Sequence, residues 1–261
     1  IAGQSEPSQR EGLLIPWADL ECLQHTLKHH GENIAIMLIE TVSNSGSFLP
    51  PAGYLEQARA LCDHYGIVLC FDEVITGFRV GLNGAQGLFG VTPDLCTLGK
   101  AFGGGMPLAA VAGQRFLLEQ YRDQQVMGPG TYNGHPLGIR GALAAIKVLE
   151  TNNGEIYQQM ASVQQRLMTG LDNIARGLNI PMRVQGPTGV FGTFFDADPD
   201  QPIMTLAGLG PETAAITKRV HQALWAEGIS ILFGRWFMSV VHNDSDTERT
   251  LEAFERALKT L

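Results

Sequence analysis

Two charged residues stand at positions in the sequence where chemistry is expected. Asp72 is the first carboxylate after the five apolar residues 67–71, and taken alone it is better explained as a cap for the following turn. Lys100 directly follows a second apolar stretch and precedes Gly103, Gly104 and Gly105. Because glycines keep side chains away from the amine, the pattern favours a reactive lysine in a pocket over a solvated surface charge.

Comparison with known glycine-rich motifs excludes two functions for Lys100. A phosphate-binding Walker loop is excluded, because Ala101 follows Lys100 where Ser or Thr is required, and Asp94 stands where the loop needs glycine. The three glycines do not form a dinucleotide fingerprint either, since Leu108 replaces its last glycine. A lysine that forms an imine with an aldehyde cofactor remains. Pyridoxal phosphate fits best, since a carboxylate such as Asp72 on a neighbouring strand would keep its ring nitrogen protonated.

Other candidate sites are weaker. His25 and His29 are spaced to meet on one helix face, but no third ligand is patterned nearby, so no metal site is expected. Ser45, Ser47 and Ser239 lack the G-x-S-x-G elbow of serine hydrolases.

Alternating helical and apolar segments must position Asp72 and Lys100. Helical spacing over 17–30 is followed by an apolar run at 34–40, and a second such pair covers 54–65 and 67–71. Repeated pairs of this kind predict an α/β fold with a mostly parallel sheet. Further predicted elements are strands at 95–98, 108–112, 182–185, 190–195, 229–232 and 237–242, and helices at 136–151, 155–177, 211–227 and 246–260. We predict two domains, a large one over 1–152 and a small α+β domain over 153–261.

Composition limits the partners and the compartment. The 261 residues include 18 basic and 26 acidic side chains, a net charge of −8, with no basic run that could follow a nucleic-acid backbone. No apolar stretch approaches the roughly 18 residues of a membrane span. The four cysteines stand singly, which favours a reducing, cytoplasmic setting. The first residue is Ile, so we expect the chain to be excised from a longer protein.

Six ordered segments resemble one known family. They read IETV at 39–42, FDEVITGFR at 71–79, GVTPDL at 90–95, TLGK at 97–100, GGGMP at 103–107 and GTYNGHP at 130–136. Together they resemble the class III, fold type I pyridoxal-phosphate aminotransferases, most strongly the glutamate-1-semialdehyde aminomutases. The resemblance implies a fold type I large domain whose N-terminal part is missing here, followed by the small C-terminal domain.

The family resemblance also assigns roles to individual residues. Lys100 matches the lysine that binds the cofactor aldehyde, and Asp72 matches the partner of the pyridine nitrogen. Val74 matches a residue that packs on the ring, and Glu40 matches an active-site glutamate of less uniform role. Thr131 matches a threonine that binds the cofactor phosphate of the other subunit, which implies a homodimer with shared sites. The family's phosphate cup and stacking aromatic residue would lie upstream of residue 1.

Departures from the family pattern bear on the substrate. The aminomutases carry a substrate-facing glutamate where Gly234 aligns here, and Arg235 and Trp236 follow it, which favours a larger or anionic substrate. We expect amino transfer from an amino-acid donor to a keto or aldehyde acceptor. The acceptor is expected to be a β-keto acyl chain tethered to an acyl carrier domain in a polyketide or nonribosomal peptide assembly line. Alternatives are a glutamate-1-semialdehyde 2,1-aminomutase and a non-catalytic fragment that acts in dimerisation or interaction.

Overall fold

A computed structural model describes residues 5–6, 11–205 and 209–261 of the chain. The helices are α1 (Leu20–His30), α2 (Tyr54–Tyr65), α3 (Gly84–Phe89), α4 (Arg115–Arg122), α5 (Pro136–Leu149), α6 (Glu155–Gly177), α7 (Thr213–Ala226) and α8 (Asp244–Leu258). The strands are β1 (Ile36–Glu40), β2 (Val68–Glu73), β3 (Leu95–Leu98), β4 (Ala110–Gly113), β5 (Met182–Gln185), β6 (Val190–Phe195) and β7 (Arg235–Phe237).

The first four strands form one sheet in the order β1-β2-β3-β4. β1, β2 and β3 are parallel, whereas β4 runs antiparallel to β3. Helices α1 and α2 cover one face of this sheet, and their apolar stripes, which include Leu23, Leu27 and Leu55, are almost completely buried against it. Gly66 ends α2 in the left-handed conformation, which returns the chain directly into β2. These two helix–strand units confirm the predicted mostly parallel sheet.

The opposite face of the same sheet is open. Ile36 is 51 % exposed, Leu38 62 % and Val111 56 %, although all three are strand residues with large apolar side chains. Side chains alternate between the faces of a strand, so Glu40 and its register partner Asp72 lie on this open face as well. The predicted chemistry therefore belongs to the face that α1 and α2 leave uncovered.

The C-terminal half contains a second, antiparallel sheet in the order β5-β6-β7. Its core is formed by α6, α7 and α8 packed against the sheet, with Leu171, Phe191, Leu224 and Phe254 fully buried. Between α5 and α6 the chain turns through Asn152 and Asn153, both with φ above 50°. The predicted boundary at 152/153 lies at this kink, and the division into two independent domains stays a prediction.

Several predicted elements differ from the observed ones. No strand forms over 229–232, where the structure has only an isolated bridge between Leu232 and Arg235. The predicted strand at 237–242 is also wrong, because β7 covers Arg235–Phe237 and shares only Phe237 with it. The cause is a tight turn at Phe233 and Gly234, whose φ angles of 49° and 78° match a hairpin turn. Helix α3 was not predicted, because it is only six residues long and contains two glycines. Helix α4 was not predicted either.

The cysteines are all unpaired, and Cys62, Cys70 and Cys96 are buried. Within residues 5–6, 11–205 and 209–261, no helix is long and apolar enough to cross a bilayer. The cytoplasmic setting stays a prediction.

Candidate functional site

Three polar side chains lie side by side at the carboxyl ends of the parallel strands. Glu40 on β1 is in register with Asp72 on β2, and Asp72 is in register with Thr97 on β3. Thr97 Oγ1 donates to Asp72 Oδ1 over 3.1 Å, and the amide of Val74 donates to the same oxygen over 3.0 Å. Both bonds fix one carboxylate oxygen, and no hydrogen bond from the described residues occupies Oδ2, which leaves that oxygen for a ligand at this edge. A parallel α/β sheet binds its ligands at this edge.

Lys100 follows β3 directly and has an unusual backbone conformation. Its φ of 46° places it in the left-handed region, which costs a residue with a side chain roughly 1–3 kcal/mol. The residue is exposed, so its amine is accessible. Gly99 lies before it, and a Cβ built there would be 3.4 Å from Val74 Cγ1. The structure thus brings Asp72, Val74 and Lys100 to the ends of two adjacent strands.

The glycines after Lys100 have a packing role as well as a local one. Lys100–Gly103 form a single 3-10 turn, and Gly104 ends it with φ of 57°. A Cβ on Gly104 would lie 2.6 Å from the carbonyl oxygen of Gly141 on α5. The absence of side chains therefore lets α5 approach the lysine turn, in addition to keeping the space near the amine open.

Two residues that support the site were not singled out from the sequence. Thr97 orients Asp72, and the signal for it is its register position opposite that carboxylate. Glu73 is completely buried on the covered face of the sheet. Its two oxygens accept bonds from Thr76 Oγ1, from the amides of Ala85 and Gln86, and from Gln86 Nε2, at 2.7 to 3.1 Å. These bonds hold α3 against the strand that presents Asp72.

Glu40 contacts the loop that follows β1. Its carboxylate accepts a bond from the amide of Asn44 over 2.9 Å, and the carbonyl of Asn44 accepts one from Arg235 Nη1 over 2.6 Å. Arg235 Nη1 also contacts Asn44 Oδ1. Glu40 and Arg235 are thereby joined through one loop residue, although they belong to different sheets. A role of Glu40 in cofactor binding stays a prediction.

Gly234 and Trp236 have structural roles. Gly234 is buried in the hairpin turn with φ of 78°, a conformation that disfavours any side chain. Trp236 is only 5 % exposed, stacks on Phe191 with a centroid distance of 5.7 Å, and donates from Nε1 to Thr193 Oγ1. The indole belongs to the C-terminal core, and its placement does not support the expected substrate contact.

Thr131 lies in a turn before α5. Every residue from 121 to 137 is exposed, including Met127 at 83 % and Tyr132 at 76 %. The large apolar residues of this stretch are each more than half exposed, namely Tyr121, Val126, Met127, Tyr132 and Leu137. The single chain does not place Thr131 near Lys100 through any contact of the described residues.

The assembled geometry combines an accessible amine with an oriented carboxylate whose free oxygen suits a cationic partner. An amine of this kind is a nucleophile towards an aldehyde, and the carboxylate stabilises a positive charge on a bound ring. The Lys100 amine can also carry a proton to or from a neighbouring atom. Amine and carboxylate together are suited to a cofactor that is both an aldehyde and a cationic heterocycle.

The sequence of this chain is similar to those of one known protein family. The sequence model of the family described as Aminotransferase class-III matches residues 11–258. A glutamate-1-semialdehyde 2,1-aminomutase 2 of Exiguobacterium sibiricum is 36 % identical over 254 residues, which are 95 % of this chain and 57 % of that protein. A glutamate-1-semialdehyde 2,1-aminomutase of Thermomicrobium roseum is 36 % identical over 261 residues, or 98 % of this chain and 60 % of that protein.

Solved structures share the fold. An omega-transaminase from Sphaerobacter thermophilus superimposes with a TM-score of 0.91 at 27 % identity, covering 99 % of this chain and 59 % of that one. A transaminase with PLP bound superimposes with a TM-score of 0.88 at 24 % identity, covering 100 % of this chain and 60 % of that one. The chain thus spans less than two thirds of the length of these similar proteins.

Proposed function

This chain belongs to the class III aminotransferase family, and on that premise we propose that it carries the lysine-bearing part of a pyridoxal-phosphate site that moves amino groups. The observation that carries the proposal is the placement of Lys100 directly after β3, beside the strand end where Thr97 orients Asp72. We assign to the whole protein an exchange of an amino group between an amino-acid donor and a keto or aldehyde acceptor.

The residues fit this cofactor. Pyridoxal phosphate, when bound, supplies an aldehyde carbon that links to amines and a ring that withdraws electrons from the linked carbon. Lys100 Nζ is the amine that would hold the aldehyde, and Asp72 Oδ2 is the acceptor for the ring N–H. Val74 lies beside Gly99, where its methyl groups can pack on a flat ring. Thr131 is the residue we assign to the phosphate, on the partner subunit of a homodimer.

Each of these side chains has a definite task in the proposed reaction. With the cofactor bound, Lys100 would hold its aldehyde, and once an amino donor had taken that place, the free amine would act as a general base for the proton on the substrate carbon. Asp72, held by Thr97, would stabilise a positive charge at the ring nitrogen. Amination of the keto acceptor would use the same two residues in the same roles.

Chemical trapping tests the assignment of Lys100. Borohydride reduction of the protein incubated with pyridoxal phosphate is expected to label Lys100, as read by peptide mapping. Lys147 on α5 is a matched control, since it is a lysine of the same half of the chain and has no role in the proposal. Label on another lysine, with Lys100→Ala still trapping cofactor, would refute the assignment.

For the acceptor, we favour a β-keto acyl chain carried on an acyl carrier domain. Support comes from Arg235, which follows the position where the family resemblance implies a substrate-facing glutamate. Arg235 Nη1 donates to the carbonyl of Asn44 in the loop after β1, so its guanidinium lies close to the Glu40 end of that strand. A bidentate contact to a carboxylate or phosphate would add about 1.5–3 kcal/mol of binding energy.

Steady-state assays of the protein distinguish this acceptor from others. A β-keto acyl thioester with glutamate or glutamine as donor is expected to react, and glutamate-1-semialdehyde is expected to be a poor substrate. Arg235→Ala is expected to raise KM for the anionic partner about tenfold or more. An unchanged KM for donor and acceptor would leave Arg235 as a contact between loop and domain only.

An aminomutase is the second candidate, because two similar proteins of 36 % identity bear that name. An aminomutase converts glutamate-1-semialdehyde without an external amino donor. Efficient donor-independent conversion by this protein would therefore replace the transferase proposal with the aminomutase.

A non-catalytic role is the third candidate, favoured by the open apolar face around Leu38 and Val111. Such a piece would act in dimerisation or interaction and would bind no cofactor. Visible absorbance after incubation with pyridoxal phosphate, lost in Lys100→Ala, decides between this candidate and both enzymes.

A further inference from the structure

One turn contacts both the lysine segment and the C-terminal core. It spans residues 74–80, directly after β2, and Phe78 lies at its apex with φ of 56°. The Phe78 ring stacks on Phe102 of the lysine turn, with ring centroids 5.9 Å apart and planes 23° from parallel. Gly77 also packs closely against β3, since a Cβ there would be 2.6 Å from Leu98 Cδ2 at the end of that strand. The turn therefore packs directly against the segment that holds Lys100.

The other side of this turn is tied to the C-terminal core by two hydrogen bonds. Tyr157 Oη, at the start of α6, donates to the Phe78 carbonyl oxygen over 2.9 Å. Arg79 Nη1 donates to the Met238 carbonyl oxygen over 2.6 Å, just after β7, and its guanidinium lies 5.8 Å from the Phe237 ring centroid. Tyr157 is 9 % exposed and belongs to the core cluster of the C-terminal sheet.

The turn at 74–80 and the lysine turn each contain a residue with a strained backbone. Phe78 and Lys100 both have left-handed backbones, with φ of 56° and 46°. Such conformations persist only where surrounding contacts hold them. For Phe78 those contacts are the Tyr157 bond on its carbonyl and the Phe102 stack on its ring. For the lysine turn, the same stack is the contact that links it to residues 74–80.

We infer that Tyr157 is a positioning residue for Lys100, acting through the Phe78 carbonyl and the Phe78–Phe102 stack, with Arg79 as a second tether. The consequence is that the orientation of the lysine turn depends on the C-terminal core, although the described residues of that core donate no bond to Lys100. This inference rests on the proposed function only in that it explains why Lys100 must be held in place.

Hydrogen exchange measures this coupling without cofactor. The amides of Phe102, Gly104 and Met106 donate to Gly99, Ala101 and Gly103 and thus report on the lysine turn. Tyr157→Phe removes one hydroxyl and keeps the ring, and we expect exchange of these three amides to rise about fivefold or more. Tyr54→Phe is the matched control, because it removes a similarly buried phenol from the other core.

A second variant and a double variant make the result decisive. Phe102→Leu should raise the same exchange, and combining it with Tyr157→Phe should add little, since both act through one path. Unchanged exchange at Phe102, Gly104 and Met106 in Tyr157→Phe, or full additivity in the double variant, would overturn the inference. If Tyr157→Phe fails to fold, Phe102→Leu paired with Arg79→Met gives the same two outcomes.

Reactivity of the amine provides the readout that a purely structural role would not move. Acetylation of Lys100, measured by peptide mapping at limiting reagent, should change at least twofold in Tyr157→Phe while that of Lys147 stays the same. Equal rates at Lys100 would contradict the inference. Borohydride labelling fails separately if the proposed function is wrong, because exchange and acetylation need no pyridoxal phosphate.

Discussion

Lys100 adopts a backbone conformation that its own side chain disfavours, and Asp72 has one oxygen fixed by two donors. Backbone strain of this kind persists only where surrounding contacts hold it, and it clusters at functional sites. The two features therefore support the proposal that Lys100 and Asp72 form the reactive pair.

Replacing Asp72 tests the charge of that pair. Asp72→Asn keeps the shape and the acceptor for Thr97 and Val74, but it removes the negative charge that we assign to the ring nitrogen of the cofactor. We expect cofactor to remain bound and turnover to fall by roughly 100-fold or more. Asp63→Asn, at an exposed carboxylate that pairs with Arg59, is the control for the loss of a negative charge. Near-normal turnover of Asp72→Asn would contradict the assigned role.

At the scale of elements, the approach of α5 to the lysine turn depends on glycine. Gly104 and Gly105 both have left-handed backbones, with φ of 57° and 90°. Their surroundings differ, however, because a Cβ on Gly105 meets nothing within 4 Å, whereas one on Gly104 meets the Gly141 carbonyl. The pair therefore separates backbone strain from the clash with α5.

Gly104→Ala should be clearly more destabilising than Gly105→Ala. The clash adds about 1–3 kcal/mol to the strain that both variants share. Denaturant unfolding of the two variants measures the difference, and equal free energies of unfolding would show that α5 yields to a Cβ without cost.

At the scale of the whole molecule, the stretch 121–137 is exposed along its whole length. Thr131 lies on that stretch, and we assign it to the neighbouring subunit of a homodimer. The two halves of one chain are in contact through Tyr157, Arg79 and Arg235. Subunit mixing tests the proposed shared site, and a change of pH tests the burial of Tyr157.

Mixing two inactive variants tests the shared site. Each heterodimer of Lys100→Ala and Thr131→Ala protomers has one site with both residues intact. Random mixing should therefore restore about a quarter of the wild-type sites. Activity per mixture is the measurement, with each variant mixed with itself as control. Mixtures that stay inactive, while both variants fold, would remove the cross-subunit role of Thr131.

Alkaline pH tests the burial of Tyr157. Burial raises the pKa of this phenol from its ordinary value of 10.0 to about 12. The folded state therefore retains a proton that the unfolded state has lost, and this contribution to stability is present below pH 10 and is lost as pH rises towards 12. The free energy of unfolding should fall less steeply between these pH values in Tyr157→Phe than in the wild type. Parallel curves would show that the phenol ionises equally in both states.

Patterns that are local in the sequence determined several elements of the fold. Apolar periodicity predicted α2 at 54–65 and β3 at 95–98 correctly, because spacing and residue type are written directly in the sequence. The family motifs likewise pointed to Asp72 and Lys100, whose roles stay a proposal. What depends on contacts between distant segments was decided only by the tertiary structure. Trp236 is a core residue because Phe191 and Phe254 surround it, and Gly234 is explained by a turn angle that no single-residue pattern reveals. Thr97 orients Asp72 because parallel pairing places them in register, and Tyr157 reaches Phe78 across 79 residues of chain, a proximity that only folding creates.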